Sequence, residues 1–228
     1  MRRPRSPGSR GAVPAVLAAV LIAGCGHDGP AARGGEPLAA ADVGNPGIGF
    51  RDNRPPVLAP GTECHAFTPA LRAAVHLSPG VEPGPMEPGH GCWAEADGGN
   101  IVSVLTTATR FGEFWRRAWP DDDGNGLTAT IVDKDAAQMF ERFLVDDRYY
   151  AIRAGSQWTA GLDSGLTKTA CMVVADTGAA EPLLVNVTQQ VPKVSGTAET
   201  VVRQCDLGTA VVRTIVGEHD PGGGSRVR

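Results

Sequence analysis

The chain has 228 residues, 42% hydrophobic and 5% aromatic, with a formal net charge of −4. An acidic balance argues against nucleic acid and anionic lipid headgroups as partners. The length allows one domain with a single core once sparse ends are set aside.

Arg2, Arg3, Arg5 and Arg10 precede an apolar run from Ala12 to Ala23, the charge and hydropathy pattern of an export signal. That run is too short for a bilayer-spanning helix, which needs about 20 apolar residues. Leu21-Ile22-Ala23-Gly24-Cys25 resembles the bacterial lipobox, in which two small residues fit the peptidase cleft and the cysteine thiol receives the lipid. An ordinary secretory signal with a chance cysteine is the alternative. The reading is a lipoprotein signal peptide over 1–24 and a lipidated Cys25 on the outer face of the cell membrane. Removing the signal leaves 17 Lys+Arg against 25 Asp+Glu, a net charge of −8.

Residues 25–62 are rich in Gly, Pro and Ala and lack apolar periodicity, so they are predicted to be a flexible tether spanning roughly 35 Å. Residues 63–219 should form one α+β extracytoplasmic domain, and 220–228 a disordered tail. Thr68-Pro69 caps a short helix carrying Leu71, Ala74 and Val75. Cys92–Ala96 and Ile101–Leu105, separated by Asp97-Gly98-Gly99-Asn100, read as a β-hairpin. Phe111, Phe114, Trp115, Ala118 and Trp119 repeat at helical spacing, as do Ala136, Met139, Phe140, Phe143 and Leu144. Strands are predicted at 148–153, 171–175 and 183–188. A last helix begins near Thr197, with Val201, Cys205, Gly208, Val212 and Ile215 on one face and Gly217 as its C-cap. This order predicts an α+β fold in which N- and C-terminal helices pack on a mainly antiparallel sheet.

Besides Cys25 there are four cysteines, Cys64, Cys92, Cys171 and Cys205. In an oxidising compartment an even number reads as two disulfides with three possible connectivities. Zinc ligation is the alternative, though no pair has Cys-x-x-Cys spacing. Cys64-x-x-Phe67 before a helix, Gly91-Cys92-Trp93 opening a strand, Cys171 in a strand and Cys205 in the last helix, together with the lipobox, resemble an uncharacterised actinobacterial lipoprotein family with four such cysteines. The resemblance implies a secreted α+β domain, similar in appearance to the sensor domains of some receptor kinases, and carries over no catalytic residue. With the element order, it implies the pairs Cys64–Cys92 and Cys171–Cys205.

Asp121, Asp123 and Asn125, followed by Gly126, match the first half of a calcium loop, but the twelfth position is Val132 where a bidentate glutamate is needed. A solvated acidic turn is the alternative. His65 and His90 flank the first two cysteines and with Glu63 could make a transition-metal site, against the plainer reading of exposed loop histidines. Gly161-Leu162-Asp163-Ser164-Gly165 lacks nucleophile-elbow spacing, and Asn186-Val187-Thr188 reads as strand positions rather than a glycan acceptor. Trp93 and Trp115 are expected in the core, while Trp119 and Trp158, each beside a polar or glycine-rich loop, are candidates to line a ligand cleft.

These readings predict a membrane-anchored, non-catalytic binding module without a cofactor, calcium excepted. It would take a small apolar or cell-wall ligand, or a membrane-protein partner. An envelope enzyme and a calcium-supported structural protein are the alternatives.

Overall fold

Seven antiparallel strands make one sheet in the order β1-β2-β3-β7-β6-β5-β4. The computed structural model describes residues 40–78, 82–86, 91–120, 132, 135, 137–159, 165–192 and 198–227. The strands are β1 (Gly84–Pro85), β2 (Gly91–Ala96), β3 (Asn100–Thr106), β4 (Met139–Val145), β5 (Tyr149–Thr159), β6 (Leu166–Ala175) and β7 (Leu183–Pro192). Three helices accompany them: α1 (Pro69–Ala74), α2 (Phe111–Trp115) and α3 (Ala198–His219). The predicted α+β class holds.

Strand alternation divides the sheet into two faces. On one, Ala94, Val102, Val104, Val173, Val185 and Val187 meet α3 through Val201, Val212 and Ile215. Helix α1 joins this layer through Leu71, capped as expected by the Thr68 hydroxyl, which accepts from the Leu71 N–H at 3.1 Å. Both disulfides lie here, Cys64–Cys92 and Cys171–Cys205, with Cα–Cα distances of 5.0 and 5.1 Å. They place the domain in an oxidising, extracytoplasmic compartment. Among the described residues no helix is long and apolar enough to cross a membrane.

Sheet and helix are in close contact at Gly155. A Cβ there would collide with Val201 Cγ1 and lie 3.5 Å from Cys205 Sγ, beside the second disulfide. Gly155→Ala is therefore expected to cost about 2 kcal/mol by overpacking. A urea titration reads this as a lower midpoint at unchanged slope.

The opposite face carries an aromatic layer. Phe50, Phe111, Trp115 and Tyr150 pack edge to face, and Phe114, Trp119 and Phe140 stack beside them. Arg142 lies over the rings of Trp115 and Phe140, 5.4 and 5.0 Å from their centroids.

Four expectations need correction. The segment predicted helical around Met139–Leu144 is β4, paired with β5 from Met139↔Gly155 to Val145↔Tyr149. Its apolar residues face both covered sides of the sheet, a pattern that local periodicity cannot tell from a helix. Helix α3 runs through Gly217 to His219, so Gly217 is not its cap. The tether predicted to reach residue 62 is packed where described: Phe50 and Leu58 are buried, and the Trp115 indole donates to the Asn45 carbonyl at 2.8 Å. Nor is the tail loose from Asp220 to Val227, since Val227 pairs with Phe50 and the Arg51 N–H donates to the Arg226 carbonyl at 2.9 Å.

Candidate functional site

The aromatic layer covers only part of its face. The β2–β3 hairpin turns at Asp97–Gly99, whereas β5, β6 and β7 run on past that turn to Thr159, back to Leu166 and on to Pro192. The hairpin presents Trp93, Ile101 and Ser103, and the overhanging strands present Trp158, Lys168, Thr188 and Gln190. With Met86 and Gln189 these residues line an open trough of about 360 Å³.

Register explains the assembly. Trp93 stands opposite Ser103. Ile101 stands opposite Thr188. Gln190 stands opposite Lys168, which in turn stands opposite Trp158. Four large hydrophobic side chains are notably exposed among the described residues, and three of them are Trp93 at 36%, Ile101 at 38% and Trp158 at 42%. Scattered apolar exposure is ordinary, but clustering in one concavity marks a binding surface.

Of the polar side chains lining the trough, Gln189 is engaged, its amide donating to the Gly98 carbonyl, and the others are uncommitted among the described residues. Ser103, Thr188, Lys168 and Gln190, and the indole N–H groups of Trp93 and Trp158, make no side-chain hydrogen bond or ion pair with another described residue. Ser103 is nevertheless only 4% exposed. Beside it in register, Asn186 is fully buried, and both of its amide atoms lack a protein partner. Buried polar groups are normally satisfied, so unpartnered ones concentrate attention on what else reaches them.

Of the candidate ligand residues, Trp158 is in the trough and Trp119 is not. Trp119 is 1% exposed, and its indole donates to the Val132 carbonyl at 2.9 Å. Trp93, expected in the core, lies in the trough instead, its indole resting over Gly84 of β1. The Cys64–Cys92 bridge explains why: Cys92 faces the α3 side, so its neighbour in the strand must face away. Cys25, Asp121, Asp123, Asn125 and His90 lie outside the described residues. Glu63 is engaged elsewhere, accepting from Thr106 Oγ1 at 2.7 Å and the Gly61 N–H at 3.1 Å. No group of three metal-ligating side chains occurs among the described residues.

A second polar cluster, at the opposite end of β5, is structural. Asp220 accepts from both terminal nitrogens of Arg54 and from the Tyr149 hydroxyl. The Arg54–Asp220 hydrogen bond, opposed by burial, raises the Arg54 pKa. Burial first and then Asp220 push the Tyr149 hydroxyl upward. Nearby, burial lifts Asp176 from 3.8 to about 6, although the Gly178 N–H donates to its Oδ1 at 2.9 Å; its Oδ2 has no partner. Between these pH values the folded state binds more protons than the unfolded state, so Asp176 makes stability fall as pH rises from about 4 to 6. Asp176→Asn keeps the Gly178 acceptor and removes the buried charge. The variant is expected to match the parent near pH 4 and to exceed it by up to about 3 kcal/mol at pH 7. Denaturation at both pH values checks the difference.

No family model, curated protein or solved structure matches the chain. Fold and site together define an extracytoplasmic, disulfide-bonded α+β domain with an open aromatic trough on the face opposite α3.

Proposed function

We propose that the chain is an envelope lipoprotein, anchored by lipid on Cys25, whose domain is a non-catalytic binding module with the trough as its ligand site. The observation that carries this reading is the gathering of Trp93, Ile101 and Trp158 around uncommitted hydrogen-bonding groups. Two exposed indoles supply large apolar area with little conformational entropy to lose on binding. Lys168 is the single ionisable group among the described lining residues. Paired acid–base chemistry needs two such groups, so the lining favours binding over catalysis. The lipobox, the two disulfides and the resemblance to the four-cysteine lipoproteins support the location. Anchoring would hold the trough at high local concentration beside envelope components.

Native mass spectrometry of the full protein extracted from its own membrane tests the proposal. The expected result is extra mass that leaves on denaturation and is reduced about tenfold in occupancy by Trp158→Ala. Persistence of that mass in a Trp93→Ala/Trp158→Ala variant would place the ligand elsewhere and overturn the trough as its site.

A further inference from the structure

Three features of the trough constrain what it holds. The backbones that carry Trp93 and Trp158 are four strand steps apart, about 19 Å at roughly 4.8 Å per step, and Trp158 stands four residues beyond Ala154, the position level with Trp93, so one ligand touching both rings is longer than a single sugar ring. The concavity is open along its length. An acyl chain laid there would keep much of its surface in water, whereas a ring-built polymer with hydroxyl edges loses nothing by staying half hydrated. Lastly, the described lining holds one cation, Lys168, and no carboxylate. Lys168 has no ion-pair partner among the described residues of a chain that carries three lysines and an acidic net charge. Glu95, on the same face opposite Ile101, stands on β2, across the sheet from Lys168.

We propose that the trough binds a glycan strand bearing anionic groups, with sugar rings stacked on Trp93 and Trp158, hydroxyls bonded to Ser103, Thr188 and Gln190, and an acidic substituent on Lys168. This inference rests on the trough being the ligand site. Sugar rings offer flat C–H faces that suit indole stacking, and their hydroxyls both donate and accept, matching the hydroxyl and amide groups of the floor. A lysine ammonium is a mobile point charge with three donors, able to follow an acidic substituent as the strand shifts register. The unpartnered Asn186 amide is the cross-strand neighbour of Ser103.

The test titrates the full chain, in detergent, with a hyaluronan hexasaccharide, in which uronic acid alternates with N-acetylhexosamine, and compares a neutral N-acetylglucosamine hexamer and palmitate. Tryptophan emission reports stacking, because Trp115 and Trp119 are buried and Trp93 and Trp158 are not. Saturable quenching by the acidic hexasaccharide is expected, weakening as salt is raised. Lys168→Gln should weaken it about tenfold and Lys168→Arg restore most of the loss, while Trp158→Ala should weaken both sugars. Equal binding of the two sugars with a silent Lys168→Gln would overturn the anionic requirement and leave the trough as a binding site. Saturable binding of palmitate, sensitive to Trp158→Ala, with neither sugar binding, would overturn the glycan and keep the trough. Failure of all three probes to quench would overturn the glycan, and the native mass measurement then decides separately whether the trough holds any ligand.

Discussion

Reduction of both disulfides is expected to unfold the domain. Cys64–Cys92 closes a separation of 28 residues and Cys171–Cys205 one of 34. In the chain-entropy model each constraint is worth about 4 kcal/mol, and the two together rival the roughly 5–15 kcal/mol of a whole domain. The bridges hold different things. Cys171–Cys205 ties β6 to α3 beside Gly155, where sheet and helix are already in close contact, so replacing this pair by serine should lower the stability of the entire sheet. It would also leave two fully buried polar groups in an apolar layer. Cys64–Cys92 ties the turn Glu63–Ala66 to β2, the strand that carries Trp93. Its loss should loosen the hairpin wall of the trough as well as lower the midpoint. Chemical denaturation of each double-serine variant, with Trp93 accessibility read by fluorescence quenching, separates the two effects. An unchanged midpoint after full reduction would show that core packing alone holds the fold.

Elements whose apolar pattern answers to one partner were legible. Helix α3 has a single buried stripe, and Val201, Cys205, Gly208, Val212 and Ile215 all lie on it. The β2–β3 hairpin declares itself by its glycine turn, where Gly98 and Gly99 both take positive φ. Strand β4 was not legible, because both of its faces are covered, so Met139, Phe140, Phe143 and Leu144 mimic a helical repeat. The packed stretch from Val43 to Leu58 was hidden for another reason. Its anchors, Phe50, Arg54 and Leu58, stand four residues apart among Gly, Pro and Asn, and their partners lie far along the chain. Arg54 meets Asp220 across 166 positions, a distance no local window samples.

The candidate site was half legible. Trp158 stood out as a bulky ring next to a glycine-rich segment, but the strand that places it runs on to Thr159, well past the predicted end at Arg153. Trp93 carried a usable signal that size alone overrode: a disulfide at Cys92 fixes the parity of β2 and sends Trp93 to the other face. Trp119 was misplaced because its cover comes from Phe114, from Phe140 on β4 and from the Val132 carbonyl, all contingent on tertiary packing.

Asp220→Ala is expected to release both ends of the described chain at once. Asp220 is 9% exposed and joins three segments: Arg54 Nη1 donates to it at 2.9 Å, the Tyr149 hydroxyl donates to its carboxylate at 3.1 Å and to its carbonyl at 2.7 Å, and the Gly223 N–H closes a turn on that carbonyl. Alanine removes the carboxylate and leaves the Arg54 guanidinium with only the Thr177 and Gly224 carbonyls, at 3.2 and 3.3 Å. Breaking one side of a largely buried ion pair costs roughly 3–5 kcal/mol, because the abandoned charge stays partly desolvated. That cost falls first on the segments the pair holds, since re-solvating Arg54 needs only that residues 50–58 lift away from the sheet. Amide exchange should therefore quicken at Arg51, Arg54 and Ser225, whose N–H groups donate to Arg226, Gly178 and Arg148, before it quickens in β6 or α3. Asp220→Asn, which keeps the acceptor and loses the charge, should fall between parent and alanine. If exchange instead rises uniformly in the sheet, Arg54–Asp220 stabilises the core as a whole and the terminal strap has no separate cooperativity. Under the expected order, Phe50 leaves the aromatic layer while Trp93 and Trp158 stay in place on the hairpin and β5. Ligand binding in the trough would then survive a variant whose N-terminal strap is free.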